Sequence, residues 1–229
     1  MELQGKRIVV TGAFGALGVT MVEAAVAAGA RVAAIDRAAV PTSVRAGVTA
    51  IGNVDLADST AAKTAIDDAA KALGGLDGLV NIAGTFRWET LVDGSLDTWD
   101  LLYRINLRTA VAASKAAIPH LAASGAGRIV NISAAGSIKA AAGMGAYAAS
   151  KSGVARLTEA LAEELKDRGI TVNAVLPSII DTAPNRADMP KADFSRWVTP
   201  AQLAGVIVFL LSDRASAITG ALLPVTGRV

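Results

Sequence analysis

Tyr147 and Lys151 stand four apart in the run Ala146-Tyr147-Ala148-Ala149-Ser150-Lys151. On a helix, residues i and i+4 share a face, so a phenol and an ammonium can enter one site. An unperturbed tyrosine titrates near ~10 and exchanges protons poorly at neutral pH. A cation held beside it favours the phenolate and draws that pKa toward the working range, as a general acid/base requires. Such pairs also decorate plain solvated helices, so the meaning of this one depends on what the chain brings to the same place.

At the other end, Lys6 to Val10 reads as a short buried strand that runs into Thr11-Gly12-Ala13-Phe14-Gly15-Ala16-Leu17-Gly18. An alanine-rich helical stretch follows, from about Val19 to Ala28, closed by Gly29. Strand, glycine turn and helix together aim helix N-terminal amides at a pyrophosphate. Gly12 permits the turn, Gly15 or Ala16 leaves room for phosphates, and Gly18 lets helix and strand pack closely. A second apolar strand, Arg31 to Ile35, ends at Asp36, eighteen residues past Gly18. A carboxylate there accepts both ribose hydroxyls of an adenosine and repels a 2′-phosphate. Arg37 is the one neighbour able to favour that phosphate, so the expected cofactor is NAD(H), with NADP(H) disfavoured rather than excluded.

These elements need a frame. The chain has 229 residues, 52% hydrophobic and 18% charged, with a mean hydropathy of +0.46. That suits one α/β domain with a full core. The longest apolar run, Leu203 to Leu211, is half of the ~18 residues a membrane span needs. Glu2, Gln4, Lys6 and Arg7 interrupt any signal-peptide pattern. Cysteine is absent, which removes disulfide and thiol chemistry. With a single histidine, His120, read as a solvated helix cap, no protein-built metal site is expected. Net charge is +2 with no basic stripe, so nucleic acid is not an expected partner. Glu163-Glu164 and Asp67-Asp68 lie on helical stretches and read as solvated faces.

Further strands are predicted near Val48–Asn53, Leu79–Ala83, Arg128–Ile132, Ile170–Leu176 and Ala221–Val225. Helical windows near Ser59–Leu73, Ser95–Ala123, Gly145–Arg168 and Pro200–Leu211 lie between them. The alternation implies a seven-stranded parallel sheet, doubly wound, with helices on both faces, in a single domain over residues 1–229. Pro177 to Thr199 is the one long irregular segment and reads as a substrate lid. Ligands bind at the carboxyl ends of such strands. Asp55 follows the third strand, Asn81-Ile82-Ala83-Gly84 closes the fourth, and Ser133 ends the fifth. Asn106 falls inside the long helical window, where its amide could distort the helix or hold a water.

Taken together, Thr11-Gly12…Gly18, Asn81-x-Ala83-Gly84, Asn106 and Tyr147-x-x-x-Lys151 resemble the short-chain dehydrogenase/reductase family, over most of the chain. The resemblance implies a Rossmann-type domain and an NAD(P)-dependent oxidoreductase. It makes Tyr147 the general acid/base. Lys151 becomes the residue that binds the nicotinamide ribose and lowers the tyrosine pKa, and Asn106 the anchor of a proton-relay water. The run Pro177-x-Ile179-Ile180-x-Thr182 resembles the family segment after strand six, where the threonine holds the carboxamide. Ser178 stands there in place of the usual glycine.

One departure is chemical. The family's substrate-orienting serine lies thirteen residues before the tyrosine, and that position is Ala134. Ser133 is one residue early and, by strand alternation, should face away unless the strand end bulges. Ser137 is a further candidate. An alanine at this position, the lid from Asn185-Arg186 through Met189-Pro190 to Ala192-Asp193-Phe194-Ser195-x-Trp197, and Gly143-Met144-Gly145 resemble the dihydropteridine reductase branch. That branch implies hydride delivery into a planar C=N or quinonoid system, with Phe86, Trp88 and Trp197 as candidate stacking faces. Thr85-Phe86-Arg87-Trp88 differs from that branch's glycine-rich stretch.

Two other readings stand beside this one. A ketone reductase or secondary alcohol dehydrogenase would use Ser133 or Ser137 as the orienting serine. A non-catalytic NAD sensor would need only the glycine turn and Asp36. The family resemblance implies a homodimer or homotetramer built on the helices near Ser95–Ala123 and Gly145–Arg168. A small-molecule substrate and a cytoplasmic location complete the expectations.

Overall fold

The computed structural model describes residues 1–229. Seven parallel strands form one sheet in the order β3-β2-β1-β4-β5-β6-β7. They are β1 (Arg7–Thr11), β2 (Arg31–Ile35), β3 (Thr49–Ile51), β4 (Gly78–Asn81), β5 (Arg128–Ile132), β6 (Thr171–Pro177) and β7 (Leu222–Val225). The helices are α1 (Ala16–Ala27), α2 (Ser59–Leu73), α3 (Leu96–Leu102), α4 (Thr109–Ala123), α5 (Gly145–Leu165), α6 (Ala183–Asp188) and α7 (Pro200–Leu211). The sheet is doubly wound, as the alternation of elements predicts, and its order reverses between β1 and β4.

Both faces of the sheet are buried because successive side chains of each strand feed two separate cores. Ile8 and Val10 pack with Met21 of α1 and Leu203 and Ile207 of α7. Val9, Leu79 and Ile129 pack with Ile66 of α2, Leu121 of α4 and Leu161 of α5. Alanines at Ala62, Ala65, Ala69, Ala113 and Ala117 bring α2 and α4 close to the strands. Truncating a fully buried leucine such as Leu79 to alanine costs on the order of 2–5 kcal/mol. The helix ends are set by local chemistry. Asp58 accepts from the Ala61 amide at 2.8 Å to start α2, and Gly74 at φ +75° ends it. Thr199 and Gln202 form a reciprocal cap ahead of Pro200 at the start of α7.

Four local readings change. β4 stops at Asn81 rather than Ala83, because the Ile82 and Ala83 amides turn to the Thr11 hydroxyl at 3.2 and 3.4 Å. The helix expected over Ser95–Ala123 is broken into α3 and α4 by a π-helical segment, Tyr103–Arg108. The expected irregular lid contains α6 and a short 3-10 turn at Phe194–Arg196, and its two ends meet as a parallel bridge between Ile180 and Val198. Pro at the second position of α6 and the Thr182 cap make that turn of helix self-sufficient. His120 is also not a free cap: its Nε2 lies 2.7 Å from Asp67 Oδ1 and ties α4 to α2. Asp67 therefore holds both Lys63 and His120, which keep its carboxyl below the usual range.

Candidate active site

A cleft of about 1370 Å³ opens at the carboxyl ends of the strands. Its floor begins at the β1–α1 turn. Gly12 adopts φ +63°, and a Cβ there would sit 2.7 Å from the Ala83 amide nitrogen. A Cβ on Gly18 would fall 2.1 Å from the Gly12 carbonyl oxygen, so only glycine lets α1 start this close to β1. The N-terminus of α1 carries no side-chain cap and no acidic residue in its first turn. Its free amides and positive dipole end are left for an anion. Phe14, Gly15, Ala16 and Leu17 line the cleft beside it.

Asp36 and Arg37 line the same end, at the tip of β2. The Asp36 carboxylate accepts from the Phe14 amide and from the Ala38 amide, each at 2.9 Å. Those two bonds fix its orientation and leave lone pairs for ribose hydroxyls. Asp55 also lines the cleft, but one of its oxygens is paired with Arg104 at 2.6 Å. The bare helix end, the two close-packed glycines and the oriented carboxylate together fit a dinucleotide.

The other half of the cleft is assembled around Lys151. Its Nζ is buried and donates to the Ile132 carbonyl at 2.7 Å. A Cβ added to Gly84 would lie 3.4 Å from that Nζ and 3.1 Å from Asn106 Oδ1. Gly84, Asn106 and Lys151 thus converge on one point. Asn106 explains the π segment: Oδ1 accepts from the Thr85 amide at 2.7 Å, while Nδ2 donates to the Thr85 carbonyl and to Ser150 Oγ. Making three bonds at once, two to the Thr85 backbone and one to α5, requires a widened turn, as π-bulges at functional sites provide. Both amide hydrogens are consumed, so the side chain holds no relay water through them. Ser150 was missed by sequence reasoning; its only signal is its place between Tyr147 and Lys151.

Tyr147 lines the cleft, with the Phe86 ring edge-on at a centroid distance of 4.9 Å. The predicted lowering of its pKa is absent. Burial pushes the phenol up to about 12, and burial brings the Lys151 ammonium down to about 8. The reason is that both groups are desolvated together and Nζ is turned to a carbonyl. In this state the phenol is held protonated.

Several sequence-based site residues lie elsewhere. Ser133 borders the cleft beside Ala134, but it is buried and its hydroxyl donates to the Lys151 carbonyl at 2.8 Å, so that hydrogen is not offered to a substrate as the reading of an orienting serine requires. Ser137 is not among the cleft residues, whereas Ala134 is. The Asn81 amide donates inward to Asn131 Oδ1 and Ser114 Oγ instead of lining the cleft. Thr182 caps α6 through the Asn185 amide and does not line the cleft; Asn185, Asp188 and Met189 do so from the lid. Trp197 is 6% exposed and packs on Phe194 at 4.8 Å, outside the cleft. Trp88 remains at the mouth, its indole N–H donating to the Ala142 carbonyl at 3.0 Å. Pro177, Ser178, Ile179, Ile180, Ala83 and Gly84 also line the cleft. Ser178 donates to the Thr226 carbonyl at 2.8 Å, which seats it where the sequence pattern would put glycine. Leu101, Ile105 and Met144 add apolar surface that spacing alone did not reveal.

No helix of the chain is long and apolar enough to cross a membrane. Residues 12–227 match the family model described as enoyl-(acyl carrier protein) reductase. The chain is 31% identical to 2-(S)-hydroxypropyl-CoM dehydrogenase 3 of Xanthobacter autotrophicus, over 99% of this chain and 97% of that protein. It is 35% identical to a 3-oxoacyl-(acyl-carrier-protein) reductase of Thermotoga maritima, over 66% of this chain and 65% of that one. In structure it is similar to a doubly substituted Serratia marcescens short-chain dehydrogenase/reductase, with a TM-score of 0.89 and 30% identity over 100% of this chain and 99% of the other. Match and fold agree: the chain belongs to the short-chain dehydrogenase/reductase family and is an oxidoreductase of the NAD(P)-using kind.

Proposed function

We propose that this protein is an NAD(H)-dependent reductase of a small planar substrate with a C=N or quinonoid system, akin to dihydropteridine reductases. The observation that carries the reading is the end of β5, where Ser133 and Ala134 both border the cleft but the Ser133 hydroxyl hydrogen is given to the Lys151 carbonyl. An isolated carbonyl oxygen benefits from two donors as charge develops on it, and losing one costs roughly 10²–10³ in rate. A conjugated C=N system spreads that charge and needs one proton donor.

Tyr147 is that donor, since burial keeps its phenol protonated. Phe86 braces the Tyr147 ring edge-on and also lines the cleft, and Trp88 offers a second aromatic surface at the mouth. Lys151 positions the nicotinamide ribose from below Gly84, with Asn106 locking the Thr85 backbone beside it. Asp36 takes the adenosine ribose, which favours NAD(H) over NADP(H). The nicotinamide ring, when bound, supplies the hydride.

A second reading is favoured by two observations. The relatives are named as a hydroxypropyl-CoM dehydrogenase and oxoacyl reductases, and Thr85 lines the cleft with a hydroxyl that donates to no protein group. In that reading the substrate is a ketone or secondary alcohol and Thr85 is its second donor. An assay of NADH oxidation with quinonoid dihydropterin beside a panel of ketones separates the two. Preference for the pterin supports the first reading. Faster turnover of a ketone, lost in Thr85→Val, would overturn it in favour of the second.

The pairing of copies through the α4 and α5 faces is part of the proposal. The expected state is a homodimer or homotetramer, and a monomer by sedimentation would remove it. A cytoplasmic setting is proposed on the same footing.

A further inference from the structure

The outer end of the substrate half of the cleft carries two cations without a carboxylate. Arg87 and Lys139 both line the cleft and both are exposed. Neither belongs to any of the ion pairs of the protein. The one side-chain hydrogen bond of Arg87 runs to the adjacent Phe86 carbonyl at 3.1 Å.

The two residues come from different loops that the structure fastens together. The Trp88 indole donates to the Ala142 carbonyl, and the Glu89 amide donates to the Gly143 carbonyl at 2.8 Å. A Cβ on Gly143 would fall 2.2 Å from the Trp88 ring, so the loops are in close contact. Segments 86–89 and 139–143 therefore form one rim beside Tyr147. The acids on that rim are already engaged. Glu89 accepts from the Ser95 amide at the start of α3, and Asp93 accepts from Thr90. Of the acids that line the cleft, Asp36 and Asp55 stand at the adenosine end, and Asp188 sits on the lid.

We propose that the acceptor substrate carries a fixed negative charge, a carboxylate, sulfonate or phosphate, and that Arg87 and Lys139 bind it at the outer end of the cleft. The Arg87 guanidinium suits a planar, two-point grip on such an oxyanion, and the Lys139 ammonium acts as a point charge. Placing the charge at the rim orients the reducible part of the molecule inward, toward Tyr147. This inference rests on the proposed reductase reading but does not depend on whether the reduced bond is C=N or C=O.

The test uses the full chain with NADH and two matched quinones, phenanthrenequinone and its ring sulfonate. Arg87→Gln/Lys139→Gln should raise KM for the sulfonate by about tenfold or more, with kcat nearly unchanged, as loss of uniform binding to a charge predicts. KM for the neutral quinone should stay within about twofold, and added salt should weaken only the sulfonate. A parallel titration of benzenesulfonate against benzenesulfonamide into the NADH-bound protein reads binding alone, whether or not either quinone is turned over. Equal effects on charged and neutral probes, or none on either, would overturn the proposal. Asp188→Asn separates a further case. If Asp188 is the true partner of these cations, wild type shows no preference for benzenesulfonate over benzenesulfonamide and Asp188→Asn alone gains one, and the anion site is wrong. Failure of the reductase reading itself is distinct: the wild type would then reduce neither quinone, while the benzenesulfonate titration would still decide the anion site.

Discussion

The Ser133 hydroxyl donates to the Lys151 carbonyl at 2.8 Å, while Lys151 Nζ donates back to the Ile132 carbonyl at 2.7 Å. Two reciprocal bonds lock the end of β5 to the first turns of α5. They fix Lys151 and engage the hydroxyl hydrogen of the only serine at that strand end. Ala134, which has no hydroxyl to offer, lines the same cleft as the Tyr147 phenol.

Tyr147→Phe tests the proton donor. The change keeps the ring and its contact with Phe86, so folding and NADH binding should persist. Turnover should fall by on the order of 10²–10⁴, the usual worth of a positioned acid. Single-turnover absorbance of NADH checks it, and full retained turnover would take Tyr147 out of the chemistry.

Ala134→Ser should restore a second donor. Reduction of ketones is expected to rise by about tenfold or more, a fraction of what a full oxyanion donor supplies. Reduction of a conjugated C=N acceptor should change little. Ratios of kcat/KM on the two acceptor classes measure this, and equal response of both classes would show that the position does not select substrate.

Asp36→Ala should erode the preference for NADH. Removing the carboxylate removes its repulsion of a 2′-phosphate, so the NADH/NADPH ratio of kcat/KM should drop by about tenfold, roughly 1.4 kcal/mol. The Phe14 and Ala38 amides lose their acceptor at the same time, so NADH affinity itself should weaken modestly. An unchanged ratio would assign cofactor choice to another group, with Arg37 the nearest.

Lys151 gives a pH signature in stability. Its pKa is about 8 in the folded protein against an ordinary lysine value of 10.5. Below pH 8 it is charged in both states, and burial of that charge opposes folding. Between about 8 and 10.5 the folded chain has shed a proton that the unfolded chain keeps, so stability rises with pH. Tyr147 has the opposite sign, and its contribution is lost only above its unfolded value of 10.0. The clean window is therefore pH 8 to 10, where the gain should be roughly 2–3 kcal/mol. Urea midpoints of the wild type and of Lys151→Met, compared across that window, read the difference. A parallel course for both proteins would mean that Lys151 carries no buried charge at neutral pH.

Much of this architecture was legible because its signals are local. The glycines at 12 and 18 answer to close backbone approach, and strand-helix alternation answers to periodicity. The misreadings share one cause: side-chain direction depends on the partner a group finds in the fold, whether near or far along the chain. Thr182 turned to cap α6, Asn81 turned inward to Asn131, and Trp197 turned to Phe194, each choice made by a neighbour that spacing does not announce. The π segment at Asn106 was legible only as a strain in an otherwise helical window. Its cause, the Thr85 and Ser150 contacts, lies 21 and 44 residues away.

The turn at Gly12 presses against the loop after β4 so tightly that no methyl could enter between them. The phosphate cradle and the base of the reactive half are consequently one preassembled platform. A dinucleotide settling there forfeits little chain freedom. Adaptation to new acceptors then falls to the roof and rim, the parts of the molecule whose replacement would leave the platform untouched.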